Sequence, residues 1–162
     1  MTAGILRIIS LKAGVDEMLN FEMDDANLKE SLENISRAAG DVSTPLLNAG
    51  MAILQENLIT FLGEKSPGGV PWTPLRGDTL KTKKGPGILR ETGALFRSVT
   101  SQGAPGNIFR HKDNSLDLGT TIPYGAVHQL GLGAVPARPF LGINQEMAQE
   151  VLTIFQEWLE MN

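Results

Sequence analysis

Cysteine is absent from the 162 residues. Disulfides, thiolate metal sites and cysteine nucleophiles are thereby excluded, and no thiol marks a cellular compartment. Histidine and tryptophan occur twice each, tyrosine once, and aromatics make up 6% of the chain. The core must therefore rest on Leu, Ile, Val and Met. No apolar run approaches the roughly 20 residues that span a bilayer, so no membrane contact is expected. No signal peptide is visible: "GILRIISL" at residues 4–11 is short and Arg7 interrupts it. The expected place of synthesis is the cytoplasm. Basic side chains also run out: none follows Arg138, while residues 141–162 hold four glutamates.

What is present is ordinary in bulk, with 41% hydrophobic and 20% charged residues, as in a globular domain. The length suggests one domain with a sizeable core. The net charge of −4 hides an uneven layout. Residues 1–64 carry 4 basic and 10 acidic side chains, and residues 65–140 carry 10 basic and 4 acidic ones. A positive middle between negative ends favours contact between copies or with a charged partner. The plainer alternative is that Glu simply solvates helix faces.

Residues 4–10, "GILRIIS", read as a short strand rich in β-branched side chains. "DDANLKESLENISRAAG" then reads as a helix over 24–40. Asp24 or Asp25 can cap it, Leu28, Leu32 and Ile35 share a face, and Gly40 stops it. A second helix is expected over 43–63, with Ser43 or Thr44 as cap and Pro45 in the first turn. Leu47, Met51, Leu54, Leu58 and Phe61 give it an apolar stripe, and Gly63 ends it.

From Gly63 to Gly142 the character changes, for 14 of the 18 glycines and 8 of the 9 prolines lie there. Such punctuation predicts turns with short strands or helical turns between them. A turn is expected at "ETGALFRSV", residues 91–99, with Thr92 as a cap. Strands are expected near 97–102, 107–111 and 115–120, and "YGAVHQLG" reads as a short helix ended by Gly131. The clearest element is last. Asn144 can cap a helix over about 144–161, with Met147, Val151, Ile154 and Trp158 on its apolar face, widened by Leu152, Phe155 and Leu159. Its expected seat is the sheet or the 43–63 helix. The fold class that follows is α+β: an N-terminal strand and two helices, a central glycine- and proline-rich region with a small, mainly antiparallel sheet, and a C-terminal amphipathic helix packed on the core.

The search for chemistry returns little. His111 and His128 lie in different elements, and neither has a second ligand at helical spacing to share a metal. For both, the plain reading is a polar residue making a local hydrogen bond. A hydrolase using His128 as base would need a pocket joining it to a carboxylate. No G-x-S-x-G occurs. "GEKSPGG" lacks the order that cradles phosphate, and Pro136 stands where a dinucleotide fingerprint starting at Gly131 needs its third glycine. "RGD" at residues 76–78 reads as a turn. No catalytic, metal-binding or cofactor-binding residue is assigned, and no cofactor is expected.

Two features point to contacts instead. "RGDTLKTKKGPGILR" gathers Arg76, Lys81, Lys83, Lys84 and Arg90, suited to an acidic neighbour or to nucleic acid phosphate. No aromatics interleave with these cations, so stacking of single-stranded bases is not indicated, and a pI of 5.2 argues against a dedicated nucleic-acid binder. Trp72, between Pro71 and Pro74, is a stiff apolar knob that either plugs its own core or anchors a partner.

"PWTPL" (71–75), Thr79, Lys84, "ILRETGALFRSV" (88–99), "YGAVHQLG" (124–131), "VPARPFLGI" (135–143) and the amphipathic helix follow in order. Together they resemble the Mu-like phage virion morphogenesis family, which is similar to phage tail completion and neck proteins. The resemblance implies a single virion-assembly domain over 1–162, with a helical part at about 24–63, a loop and strand part at 64–142 and the C-terminal helix at 144–161. It implies a structural, non-enzymatic role in tail completion or head–tail joining. It implies a ring homo-oligomer, a hexamer among the candidates, around a channel that DNA crosses without sequence-specific binding. Tail tube or head–tail connector proteins would be the partners, and the virion, assembled in the bacterial host cytoplasm, the location. A nucleic-acid-binding module built on the 76–90 loop is the alternative.

The residues between 131 and 143 carry a physical expectation of their own. Pro136 and Pro139 fix φ and push Val135 and Arg138 towards extended backbone. Phe140 and Leu141 then pin this stiff lead-in to the core. Arg138 keeps its charge, so a carboxylate or helix C-terminus is expected beside it, in its own chain or the next. The contact residues expected are Trp72, Arg76, Lys81, Lys83, Lys84, Arg90 and Arg138. Charge reversal at Lys81, Lys83 and Lys84 is expected to weaken assembly in a salt-dependent way.

Overall fold

The computed structural model of the chain describes residues 6–13, 17–20, 30–31, 34–35, 40–112 and 115–161. Strands β1 (Leu6–Ala13) and β2 (Glu17–Asn20) pair antiparallel. β3 (Asn107–Lys112) and β4 (Ser115–Thr120) form a second antiparallel pair. β1 lies parallel to β4, with a register break between Arg7 and Ser10, so the four strands run in the order β2-β1-β4-β3. The small central sheet is thus extended by the N-terminal hairpin. The strand read at 4–10 is placed at 6–13, with residues 4 and 5 outside the described part.

The 24–40 helix lies mostly outside the described residues. Glu30, Ser31, Asn34 and Ile35 are helical within it, Ile35 packs on the core, and Gly40 takes a φ of 78°. Helix α1 spans Ser43–Gly63. Neither Ser43 nor Thr44 caps it. The Asp41 carboxylate accepts the Ser43 backbone N–H at 2.9 Å and its hydroxyl at 2.6 Å, which holds its pKa below the usual range. A carboxylate is the stronger acceptor, so it takes the orphan donor. The helix ends at Gly63 as expected, and the left-handed residue that closes it is Glu64, at φ 50°.

The buried face of α1 keeps Leu54 and Phe61 of the expected stripe but not Leu47 and Met51. Leu46, Ala49, Gly50, Ile53, Leu54, Asn57, Thr60 and Phe61 face inwards, while Leu47 is 38% and Met51 51% exposed. Small residues decide this. A Cβ on Gly50 would stand 2.5 Å from Leu116 Cδ2 and 2.8 Å from Phe109 Cζ, so the helix backbone lies directly on the sheet. Size complementarity outweighs the larger apolar side chains one position away.

A short helix α2 occupies Gly77–Thr82, where a turn was expected at "RGD", and none of its residues is buried. The strand expected near 97–102 is instead helix α3, Ala94–Thr100. Thr92 Oγ1 accepts the Ala94 N–H at 3.3 Å, and Leu95, Ser98 and Val99 then fall at helical spacing on the core. Asn57 of α1 donates to the Val99 carbonyl at 2.9 Å and fastens the two helices together. Helix α4 is Gly125–Leu130, closed by Gly131 at φ 70°. Helix α5 is Gln145–Met161, and Asn144 Oδ1 caps it by accepting the Met147 N–H at 2.7 Å.

Two apolar clusters result. Leu46, Ala49 and Ile53 of α1, with Leu116 and Leu118 of β4, meet Met147, Val151 and Phe155 of α5. Phe61, Trp72, Leu95, Val99, Ala126 and Phe140 form the second, under the glycine- and proline-rich loops. Here Phe61 meets Trp72 edge to face at 5.3 Å. The second cluster gives the irregular chain around residues 64–91 and 131–143 a floor.

Candidate functional site

Two loops without regular structure are clamped together over that floor. After α4, a Cβ on Gly131 would stand 2.6 Å from the Ala137 nitrogen, so only glycine lets the chain fold back this closely. The Arg138 N–H then donates to the His128 carbonyl at 2.7 Å. Gln129 reads the next two residues: its Oε1 accepts the N–H groups of Phe140 and Leu141 at 2.9 and 3.1 Å, and its Nε2 donates to the Leu141 carbonyl at 2.8 Å. One amide side chain thereby stands in for a missing strand partner. Nothing in the pattern of "YGAVHQLG" marks Gln129 for this, because its partners lie 11 and 12 residues away.

Arg138 is 4% exposed, and among the described residues its guanidinium bonds to loop carbonyls rather than to a carboxylate or helix end. Nε donates to the Thr73 carbonyl at 2.8 Å and Nη2 to the Pro74 carbonyl at 3.2 Å. Loop carbonyls beside a proline have no ladder partner, and the planar fork of arginine matches two adjacent ones. Burial pushes the guanidinium pKa down. Trp72 completes the clamp from the other side. Its indole lies in the chain's own core at 4% exposure, and Nε1 donates to the Pro139 carbonyl at 2.7 Å.

Beside the clamp lies a cleft of about 630 Å³, lined among others by Thr73, Arg76, Thr79, His128, Val135 and Arg138. Among the described residues, no carboxylate lines it. Burial, and then the nearby Arg138 charge, hold the His128 pKa below its usual value. His128 Nδ1 and His111 Nε2 are buried and make no hydrogen bond among the described residues. Among the described residues, no group of three or more His, Asp or Glu side chains could hold a metal ion.

The basic stretch separates into two kinds of cation. Lys83 is tied to Glu91 at 2.8 Å, and Glu91 also accepts the N–H groups of Lys84 and Gly85 at 2.9 and 3.2 Å. These contacts, the Lys83 ammonium first, bring the Glu91 carboxyl down to about 2. Arg90 reaches Glu64 at 3.5 Å, and Glu64 Oε1 also accepts the Ile88 N–H at 2.8 Å. Lys83 and Arg90 therefore hold the loop's own shape. Lys81 pairs only across the solvent face of α2 with Asp78, at 3.3 Å. Arg76 and Lys84 are exposed and have no ion pair among the described residues. Opposite in sign, Glu146, Glu150, Glu157 and Glu160 stand exposed along α5.

Loops locked by buried polar bonds, and exposed charge of both signs, characterise the described surface. The chain belongs to the phage virion morphogenesis family, which it matches over residues 23–160. It is 26% identical over 142 residues to Mu-like prophage FluMu G protein 1 of Haemophilus influenzae, covering 87% of this chain and 94% of that one. It is 27% identical over 153 residues to Mu-like prophage FluMu G protein 2 of the same organism, covering 89% and 98%. No solved structure matches the chain. A phage or prophage structural role, of the tail-completion type, follows from the family. No helix among the described residues is long and apolar enough to cross a membrane.

Proposed function

We propose that this chain is one virion-assembly domain that acts, without turnover, in tail completion or head–tail joining. It is one subunit of a ring of identical copies around the channel that DNA crosses, seated against tail tube or connector proteins and built in the bacterial host cytoplasm. The family match over residues 23–160 carries this reading. The charge layout supports self-association: Arg76, Lys81 and Lys84 are exposed on α2 and its flanks, and the glutamates of α5 are exposed elsewhere on the same chain. Opposed patches on one molecule attract copies of it.

Light scattering tests this at low salt, where exposed charges act over about 30 Å at 0.01 M. The unmodified chain is expected to be multimeric. Arg76→Glu, Lys81→Glu and Lys84→Glu together are expected to reduce that mass, and added salt to do the same to the unmodified chain. A triple variant of unchanged mass at every salt would remove the loop from assembly. Tight, steeply salt-dependent DNA binding by a monomer would favour the nucleic-acid module instead.

A further inference from the structure

An apolar groove of about 630 Å³ opens beside the end of α1, walled by Pro71, Trp72, Pro74, Leu75, Leu80 and Ile88. That volume lies within the range of about 300–1,000 Å³ that takes a small ligand or a few side chains. Exposed cations outnumber carboxylates in the stretch that forms it: Lys83 lines it and is tied to Glu91, and Lys81 pairs with Asp78. Arg76, Lys81 and Lys84 each sit one residue from a lining residue, and all three are exposed. The carboxylate inside the groove, Glu64, is already engaged by Arg90 and the Ile88 N–H. An occupant should therefore be apolar at its tip and acidic around it.

Among the described residues, the end of α5 has this character. The last turn of α5 exposes Met161 at 76% and Leu159 at 39%, between the exposed carboxylates of Glu157 and Glu160. No basic residue lies anywhere in 141–162. The same chain cannot place this turn in its own groove. α5 begins at the loop that follows α1, where Asn144 Nδ2 donates to the Pro67 carbonyl at 2.8 Å. It then runs back along α1, where Val151 and Phe155 share a cluster with Val42 and Leu46. At about 1.5 Å per residue, its 17 residues carry the last turn about 25 Å from that start.

We infer that the groove beside α1 receives the last turn of α5 from a second copy of this chain. The inference rests on the ring reading and names its contact. End-on entry presents Leu159 and Met161 together to the apolar walls, while Glu157 and Glu160 meet Lys81, Lys84 and Arg76 at the mouth. Groove and helix end are different surfaces of one molecule, with the helix end about 25 Å along α5 from Asn144, so the contact is head-to-tail, the kind that closes into rings.

The test uses two complementary variants of the full chain. Leu80→Glu with Lys84→Glu spoils the groove and keeps the helix end. Leu159→Lys with Met161→Lys spoils the helix end and keeps the groove. Each alone is expected to scatter as a single chain of 17.5 kDa. Mixed in equal amounts, they are expected to form a pair of twice that mass and nothing larger, because one good groove meets one good helix end. Thermal melts check that each variant is folded. The single changes Leu80→Glu and Met161→Lys, at positions 60% and 76% exposed, replace any double variant that melts early. If the unmodified chain is multimeric and either variant keeps its mass, or the mixture stays single, this contact is overturned while the ring reading stands. If the unmodified chain is itself single at all concentrations, the ring reading fails and the contact with it.

Discussion

Arg138 holds two loop carbonyls with two different nitrogens, so its replacement separates charge from shape. Lysine offers one compact ammonium and cannot span Thr73 and Pro74 as the fork does. Hydrogen bonds from a charged donor contribute about 1.5–3 kcal/mol each. Arg138→Met is expected to lower unfolding stability by roughly 2–4 kcal/mol and Arg138→Lys by about half as much, measured by urea denaturation. His128 gives a pH prediction. Its pKa is lowered in the folded chain, first by burial and then by Arg138. The unfolded chain therefore takes up the proton first, and stability is full above the ordinary value of 6.5 and falls as pH drops below it. Melting curves between pH 7.5 and about 5.5 are expected to show this loss in the unmodified chain and a flatter profile in His128→Gln. Both residues were visible in the sequence as the charged and titratable members of one connector. Their partners were not, because backbone carbonyls leave no mark in a sequence.

At the scale of elements, α1 shows how packing overrides periodicity. The heavy side chains Leu47 and Met51 suggest one face, but the close approach of Gly50 to Leu116 and Phe109 sets another. Gly50→Ala would gain up to about 1 kcal/mol of helix propensity in an open helix. Here the added methyl overlaps two side chains, and overpacking costs about 1–3 kcal/mol. The expected result is a net loss of roughly 1–2 kcal/mol in thermal or urea unfolding; a stabilised variant would show that the sheet yields. α5 was legible at both ends, since its cap Asn144 and its apolar spacing are local features. α3 was read in part as a strand because the residues from Arg97 to Thr100 alternate weakly. Gly93 and the Thr92 hydroxyl, which start the helix, act only once Leu95 and Val99 find the core.

For the whole molecule, the arrangement of charge matters more than its net value. Lys83 and Lys84 are neighbours with different duties. Lys83→Glu would place a carboxylate against Glu91 and is expected to lower the melting temperature, because it breaks the loop's own brace. Lys84→Glu is expected to leave melting nearly unchanged and to weaken self-association, read as the concentration at which the scattered mass halves. Equal effects of the two changes on assembly, at equal melting temperature, would show that the exposed cations have no special part in it.

The residues alone determined the class of fold, the C-terminal helix, the glycine-closed turn at Gly131 and the resemblance that led to the family. Each depends on spacing or backbone chemistry confined to a few neighbouring positions. Only the tertiary structure decided which lysines are spoken for and what the buried guanidinium grips. It also decided which face of α1 lies inwards and where the apolar groove beside its end opens. Those outcomes depend on groups far apart in sequence, whose distances arise only when the loops close over Phe61 and Trp72.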